Sequence, residues 1–310
     1  MTTKTLIKHI AKVDNLSETD IYKYYNFKSH DGKVTLGYIT EKSADHFKQE
    51  ESFLVDEKEK TISLAAYFDT IEKRNSLFRD LGLRWRRKPE LSEIVDKGWR
   101  NELYTVYNPT HIPYFHVERS MTPLLGVITY GIHVNAYVPA EKTTNGKIKV
   151  WTPRRAANKP TYPGMLDNTV GGGLGYPHGI EETVIKECYE EAGLASSFVK
   201  RNVRSAGVVQ YFHKPNDDYS VQPEVEYVFD LLLHGEDEIK LQSVDGEAEE
   251  FRLMDVDEIL FRLENSEFKP NCGMIILDFL IRHGHVTPEN ECNYIEMLTR
   301  SHRLMPFPTI

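Results

Sequence analysis

The stretch Gly172 to Leu194, GGLGYPHGIEETVIKECYEEAGL, decides how this chain is read. Its second half, VIKECYEEAGL, has helical spacing and sets Glu187, Glu190 and Glu191 within a turn of one another. Like charges three and four residues apart on a helix repel. At about 100° of rotation per residue, the three carboxylates share an arc of about 100°. Val184, Ile185, Cys188, Tyr189 and Ala192 fill the neighbouring arc, so that face can pack on a sheet. Gly193 stands where a left-handed helix cap belongs. Carboxylates near a helix C-terminus oppose the macrodipole, and no Lys or Arg follows in the last turn. A divalent cation relieves both costs. Mg²⁺ is hard, prefers oxygen ligands, and takes a few carboxylates together with substrate phosphate and water. The plainer alternative is a solvated acidic face.

The loop before the helix, VGGGLGYPHG, holds Gly171, Gly172, Gly173, Gly175 and Gly179. Glycines permit unusual dihedrals and close approach of backbone to a ligand. Two familiar phosphate loops do not fit. A GxGxxG pattern needs glycine where His178 stands, and no Gly-Lys-Ser/Thr follows. Strands flank the segment. LLGVITYGIHVNAYVP alternates, with Ile128, Tyr130, Ile132, Val134, Ala136 and Val138 on one face and His133, Asn135 and Tyr137 on the other. GKIKVWTPRR follows a turn at Asn145-Gly146. SAGVVQYF, VEYVFDLLL and EEFRLMDVDEIL come after the helix, and two helical segments follow near 255–264 and 272–283. Strands on both sides of one prominent helix predict an α/β sandwich rather than a βαβ repeat.

The spacing from Gly172 to Leu194 resembles the signature of the Nudix hydrolases. That signature runs Gly, five residues, Glu, seven residues, then Arg-Glu-apolar-x-Glu-Glu-x-Gly-apolar. Gly172, Glu187, Glu190, Glu191, Gly193 and Leu194 match, and Cys188 fills an apolar position. His178 replaces the first Glu and Lys186 replaces the Arg, which keeps the charge but loses the planar fork. The resemblance implies the Nudix α/β/α sandwich. TPRRAANKPTYPGMLDNTVGGGLGYPHGI, YGIHVNAYV, GWRNELYTVYN and DGEAEEF together resemble the fungal and plant Nudix proteins related to thiamine pyrophosphokinase. Those carry an extra N-terminal domain, expected here as a smaller α+β unit over residues 1–118, with the Nudix domain over 119–310. The implied activity is Mg²⁺-dependent conversion of thiamine diphosphate, especially its oxo and oxy forms, to the monophosphate, with Mn²⁺ as a substitute ion. The alternatives are hydrolysis of an oxidised nucleoside diphosphate of the 8-oxo-dGDP type, and a Nudix module that binds a ligand without turnover.

Diphosphate hydrolysis needs an electrophilic phosphorus, an aimed water and an acceptor for the leaving charge. Glu187, Glu190 and Glu191 are the expected Mg²⁺ ligands, with Glu190 and Glu191 also entering the chemistry. Gly172 and Gly173 are expected to lend backbone to the metal or phosphate. DGEAEEF offers Glu247, Glu249 and Glu250 as general bases, and Glu247 is named first. His178, Arg154, Arg155 and Lys159 are candidate phosphate contacts. His133 and Asn135 are candidate substrate contacts on the strand's polar face. Each has a plainer reading: a loop histidine, a surface ion pair, or a side chain facing water. Trp99, Arg100 and Glu102 are candidates for a pocket over a ring, and Trp99 reads equally as core. RWRRK, Arg84 to Lys88, reads as a solvated basic patch.

Composition sets the outer limits. The chain has 310 residues, 40% hydrophobic and 27% charged, which is ordinary for a globular protein of about two domains. A formal charge of −9 argues against sequence-independent nucleic-acid binding. No run approaches a membrane span. Cys188, Cys272 and Cys292 lie far apart with no CxxC, which fits a reducing compartment. The cytosol is the default. MTTKTLIKHIAKVDNL lacks the apolar core of a secretory signal, and its early acids Asp14 and Glu18 make a mitochondrial presequence the minor alternative. The expected partner is a small diphosphate, with no call on oligomeric state. In the N-terminal part, DGKVTLGYIT and GWRNELYTVYN read as strands. YFDTIEKRNSLFRDLGL reads as a helix that Gly82 ends.

Overall fold

A computed structural model describes residues 6–310. The chain begins with two short helices, α1 (Ile7–Val13) and α2 (Glu18–Ile21). Next come β1 (Tyr25–Lys28), β2 (Thr35–Ile39), α3 (Glu41–Phe47), β3 (Phe53–Asp56), β4 (Thr61–Leu64) and α4 (Ile71–Trp85). The hairpin β5 (Leu103–Tyr107) and β6 (Pro113–Glu118) follows, then α5 (Thr122–Leu125). The four short strands form one sheet in the order β2-β1-β4-β3, and β5 pairs with β6 alone. α4 lays Leu77, Phe78 and Leu81 into the core, where the Phe78 and Phe115 rings stack at 4.1 Å. Each fully buried aromatic or aliphatic side chain of this kind stabilises by about 1.5–3 kcal/mol. The stop expected at Gly82 does not occur, because the helix runs on to Trp85. A Cβ at Gly82 would touch the Trp99 ring at 3.4 Å, so this glycine serves close packing.

The second part holds β7 (Thr129–Val138), β8 (Lys149–Arg155), β9 (Val170–Gly173), α6 (Ile180–Ala192), α7 (Ser196–Asn202), β10 (Val203–His213) and β11 (Gln222–Leu232). β12 (Ala248–Asp255), α8 (Val256–Glu264), α9 (Pro270–Arg282) and α10 (Tyr294–Ser301) complete it. Five strands run in the order β10-β11-β7-β8-β12, and β9 pairs antiparallel with β7 from Gly131 to Val134. β7 and β11 are parallel, and the other pairings are antiparallel. One face packs Ile132, Val134 and Ala136 against Val184, Cys188 and Ala192 of α6. The other packs Val150, Tyr211, Val228 and Met254 against α8, α9 and α10. The result is a three-layer α/β/α sandwich. The two covering layers also correct the view of β7 as a strand with one wet face. His133 is 4% exposed and Asn135 is fully buried.

Residue 118, where a division is expected, ends β6. α1, however, packs its Ile10 and Val13 with the α9 layer of the second part. The Leu6 N–H donates to Glu291 at 2.9 Å, and Asp14 pairs with Arg300 at 3.0 Å and Arg303 at 2.9 Å. In the expected solvated basic patch, Arg84 meets Glu50 at 2.5 Å and Arg86 meets Asp96 at 2.6 Å while both stay exposed, and Trp85 is core. Among the described residues, no helix is long and apolar enough to cross a membrane.

Candidate active site

α6 is stabilised at both ends. At its start the Gly179 N–H donates to Glu182 at 3.1 Å, and Glu181 and Glu182 complement the dipole. At its end Gly193 adopts φ +69°, Leu194 N–H reaches the Cys188 carbonyl at 3.0 Å, and Gly193 N–H reaches Tyr189 at 2.9 Å. The free carbonyls of the last turn are then met by a loop. Gln242 N–H donates to Ala192 at 3.3 Å, while Val244 and Asp245 donate to Glu190 at 2.9 and 3.2 Å. This tie brings the loop that carries Asp245 and Glu247 alongside the glutamates.

The three glutamates are not left to repel freely. Lys186 Nζ bridges Glu187 at 2.9 Å and Glu190 at 2.8 Å. Glu191 accepts from the Gly171 N–H at 2.8 Å. Residual strain shows in the acid strengths. Burial pushes the Glu187 carboxyl up, with Glu190 and Glu247 adding to it against Lys186. Burial pushes Glu191 well above the usual range, and Asp167, Glu187 and Glu247 push the same way. Glutamates this reluctant to ionise gain most from a bound cation.

Each glycine of β9 makes room for a different polar side chain. A Cβ at Gly171 would lie 3.0 Å from His133 Nδ1, and one at Gly172 would lie 2.4 Å from Glu187 Cδ. At Gly173 it would lie 2.1 Å from Tyr104 Oη, and at Gly175 it would lie 2.9 Å from Glu102 Oε1. None of the four has a positive φ. Close approach, not unusual dihedrals, is what these positions require. Tyr104 and Glu102 belong to β5 and its approach, so the N-terminal part closes over the glycine strand. The Tyr176 N–H donates to Leu103 at 2.7 Å, and the Tyr176 ring stacks on His116 at 3.9 Å.

Together these elements line a cavity of about 860 Å³. Glu187, Glu190, Glu191 and Glu247 stand on its wall, as do Gly172 and Gly173. Arg155, Lys159, Lys186 and Lys269 bring positive charge to the same space. Lys159 pairs with Glu247. Arg155 donates to Asp167 at 2.7 Å and to the carbonyls of Thr161 and Tyr162, which occupies most of its fork. Burial opposes ionisation of Asp167, but Lys269 and Arg155 win and hold it down to about 2. His133 lines the cavity, with Nε2 3.7 Å from Glu226.

Three expected contacts lie outside the lining. Asn135 is fully buried and accepts from Asn168 at 3.0 Å, because helices cover both faces of its sheet. Arg154 donates to the Gly164 carbonyl at 2.7 Å and pairs with Glu250 at 3.3 Å across β8 and β12. His178 is exposed and sits 3.8 Å from Glu182 at the start of α6, away from the glutamates near its end. Glu249 is taken up by the Ala157 N–H at 2.7 Å. Of the N-terminal trio, Arg100 and Glu102 line the cavity, while Trp99 packs against the first core. Unforeseen residues also reach it: Glu224, Glu226, Tyr211, Tyr104, Arg119 and Lys269. For Glu224 and Glu226 a signal existed, namely two acids at i and i+2 inside the apolar strand VEYVFDLLL and its approach. Nothing local flags the other four.

Comparison with known proteins agrees with this geometry. Residues 131–272 match the NUDIX domain, and residues 5–129 match a domain of unknown function, DUF4743. An uncharacterised protein of Saccharomyces cerevisiae is 40% identical over 99% of this chain and 93% of its own length. Nudix hydrolase 20, chloroplastic, of Arabidopsis thaliana is 37% identical over 66% of this chain and 52% of its own. The match therefore spans about half of that plant protein. Among solved structures, the NUDIX domain of NrtR from Shewanella oneidensis, complexed with ADP-ribose, has 13% identity and a TM-score of 0.37. It covers 50% of this chain and 87% of that one. With a Nudix domain matched across the sandwich and a Nudix hydrolase among its relatives, the chain belongs to the Nudix hydrolases, which act on phosphoanhydride bonds.

Proposed function

We propose that this enzyme is a Mg²⁺-dependent hydrolase that converts thiamine diphosphate, especially its oxidised oxo and oxy forms, to the monophosphate. One observation carries the diphosphate part. A single cavity sets four carboxylates at the end of α6 and its neighbouring loop against Lys159 and Lys269. An anionic diphosphate with a dication fits such a divided lining, and a neutral substrate leaves it unbalanced. The donor set suits the ion: hard carboxylate oxygens on one helix face, with burial raising the pKa of two of the carboxyls so that they gain most from a cation. Glu187, Glu190 and Glu191 would hold it, with the Gly172 backbone beside them. Bound there, the ion makes the phosphorus more electrophilic and absorbs charge on the departing phosphate.

The chain's own groups do the rest. Lys186 keeps Glu187 and Glu190 in place. Glu247, which follows the loop residues Val244 and Asp245 tied to Glu190 and shares the cavity wall, would take a proton from the attacking water on release from Lys159. Lys159 and Lys269 offset phosphate charge. The thiamine part rests on the sequence resemblance, which runs through both parts of the chain, and on β5 from the N-terminal part closing the cavity. The test is turnover of thiamine diphosphate, oxothiamine diphosphate and 8-oxo-dGDP side by side, with and without Mg²⁺. Faster turnover of the thiamine compounds, lost with chelator, supports the reading. A preference for 8-oxo-dGDP, or turnover indifferent to the ion, overturns it.

A further inference from the structure

Away from the α6 glutamates, the cavity contains a second acidic recess. Glu224 and Glu226 point from β11 to the same face, and Tyr211 joins them from β10. The Tyr211 hydroxyl lies 2.5 Å from Glu224 Oε2 and 3.0 Å from Glu226 Oε1. Glu226 is 4% exposed, yet its Oε2 has no hydrogen-bond partner among the described residues. The nearby His133 Nε2 stands 3.7 Å away, beyond hydrogen-bond length. A buried carboxylate oxygen without a donor is costly, and a donor hydrogen from a bound molecule would complete it.

The Glu226 carboxylate takes the space that a side chain at Gly131 would occupy. A Cβ at Gly131 would lie 2.2 Å from Glu226 Oε2 and 3.2 Å from the Gly172 carbonyl. The free oxygen and the glycine strand therefore border the same small space. Tyr104 and Tyr130 also line the cavity, and aromatic faces attract cations. Burial pushes the Glu224 carboxyl up, with Glu226 adding to it, so the pair keeps a proton more readily than two exposed acids.

We propose that Glu224, Glu226 and Tyr211 form the subsite for the substrate's nitrogenous ring, recognising a heterocycle that is positively charged or presents an N–H. This rests on the diphosphate-hydrolase reading above and narrows its substrate class. Glu226 Oε2 accepts from the ring, and the diphosphate extends past Gly131 toward Gly172 and α6. The subsite distinguishes substrates by their organic part and leaves phosphate recognition to the α6 wall.

The test compares Glu226→Gln and Glu224→Gln with wild type, using the full chain with Mg²⁺. Three diphosphates serve as probes: thiamine diphosphate with its cationic ring, oxothiamine diphosphate with a neutral ring, and methyl diphosphate with none. The expected result for Glu226→Gln is a KM for thiamine diphosphate raised tenfold or more. The kcat/KM ratio of thiamine diphosphate to methyl diphosphate falls by a similar factor. An unchanged ratio in both variants overturns the proposal, including the case in which all three probes lose rate equally. If wild type turns over none of the three, the thiamine diphosphate reading fails on its own. The subsite is then read by calorimetry with thiamine alone: binding weakened tenfold in Glu226→Gln upholds it, and no binding to wild type overturns it. Melting curves show whether each variant folds, and Glu224→Gln carries the comparison if Glu226→Gln does not.

Discussion

The contact between Gly173 and Tyr104 gives a quantitative handle on how the N-terminal part covers the site. A Cβ at Gly173 would stand 2.1 Å from Tyr104 Oη, 3.2 Å from Tyr104 Cζ and 3.2 Å from Glu102 Oε1. Gly173→Ala therefore forces Tyr104 off the glycine strand. Tyr104 is 5% exposed and anchored in β5, so it has little space into which to retreat. Overpacking of this kind costs about 1–3 kcal/mol. Tyr104→Phe removes only the offending oxygen. The remaining distances near 3.2 Å need side-chain shifts of a few tenths of an ångström. The double variant Gly173→Ala/Tyr104→Phe is thus expected to recover about 1–2 kcal/mol relative to the sum of the single variants.

Urea unfolding of the full chain measures all four corners of the cycle. Turnover of a diphosphate probe provides a second readout, since Gly173 lies next to the glycine that faces Glu187. The single Gly173→Ala variant should lose both stability and rate, and Tyr104→Phe should return part of each. Strict additivity, with a coupling energy near zero, would refute the idea that β5 is seated on β9.

Glu190→Gln is expected to lower Mg²⁺-dependent phosphate release by about two orders of magnitude or more through lost charge stabilisation, with an unchanged circular-dichroism spectrum. Turnover equal to wild type removes Glu190 from the metal site. Lys186→Met is expected to cost less, about tenfold or under, because Lys186 orients glutamates rather than touching substrate; a larger loss than Glu190→Gln, by the same kinetic assay, contradicts that ranking. Asp167 is held at about 2 instead of 3.8, so at about 1.4 kcal/mol per unit it contributes about 2 kcal/mol above pH 4. This contribution disappears as pH falls through 2. Asp167→Asn should therefore be about 2 kcal/mol less stable at pH 7 in urea titrations, with the gap closing between pH 4 and pH 2. A gap that persists undiminished at pH 2 shows the cost to be packing instead.

α6 was legible because its whole logic is local. The apolar arc, the Gly193 cap and the three carboxylates lie within one stretch, and a single period of rotation sorts them. The partners that complete the site are not local. Glu226 reaches Gly131 only because β11 lies parallel beside β7, and Tyr104 reaches Gly173 only because β5 folds back from another sheet. No spacing in the sequence encodes either meeting. Asn135 shows the same limit from the opposite side. Alternation assigned it to the correct face of β7, but whether that face is wet depends on which layer the late helices cover. The triple glycine is the mixed case. Its unusual composition announced a site, while the reason for it, three neighbours each needing the space of a methyl group, emerges only when the partners are in place. Glycines in a strand next to a carboxylate cluster are thus better read as a count of side chains converging there than as a sign of backbone freedom.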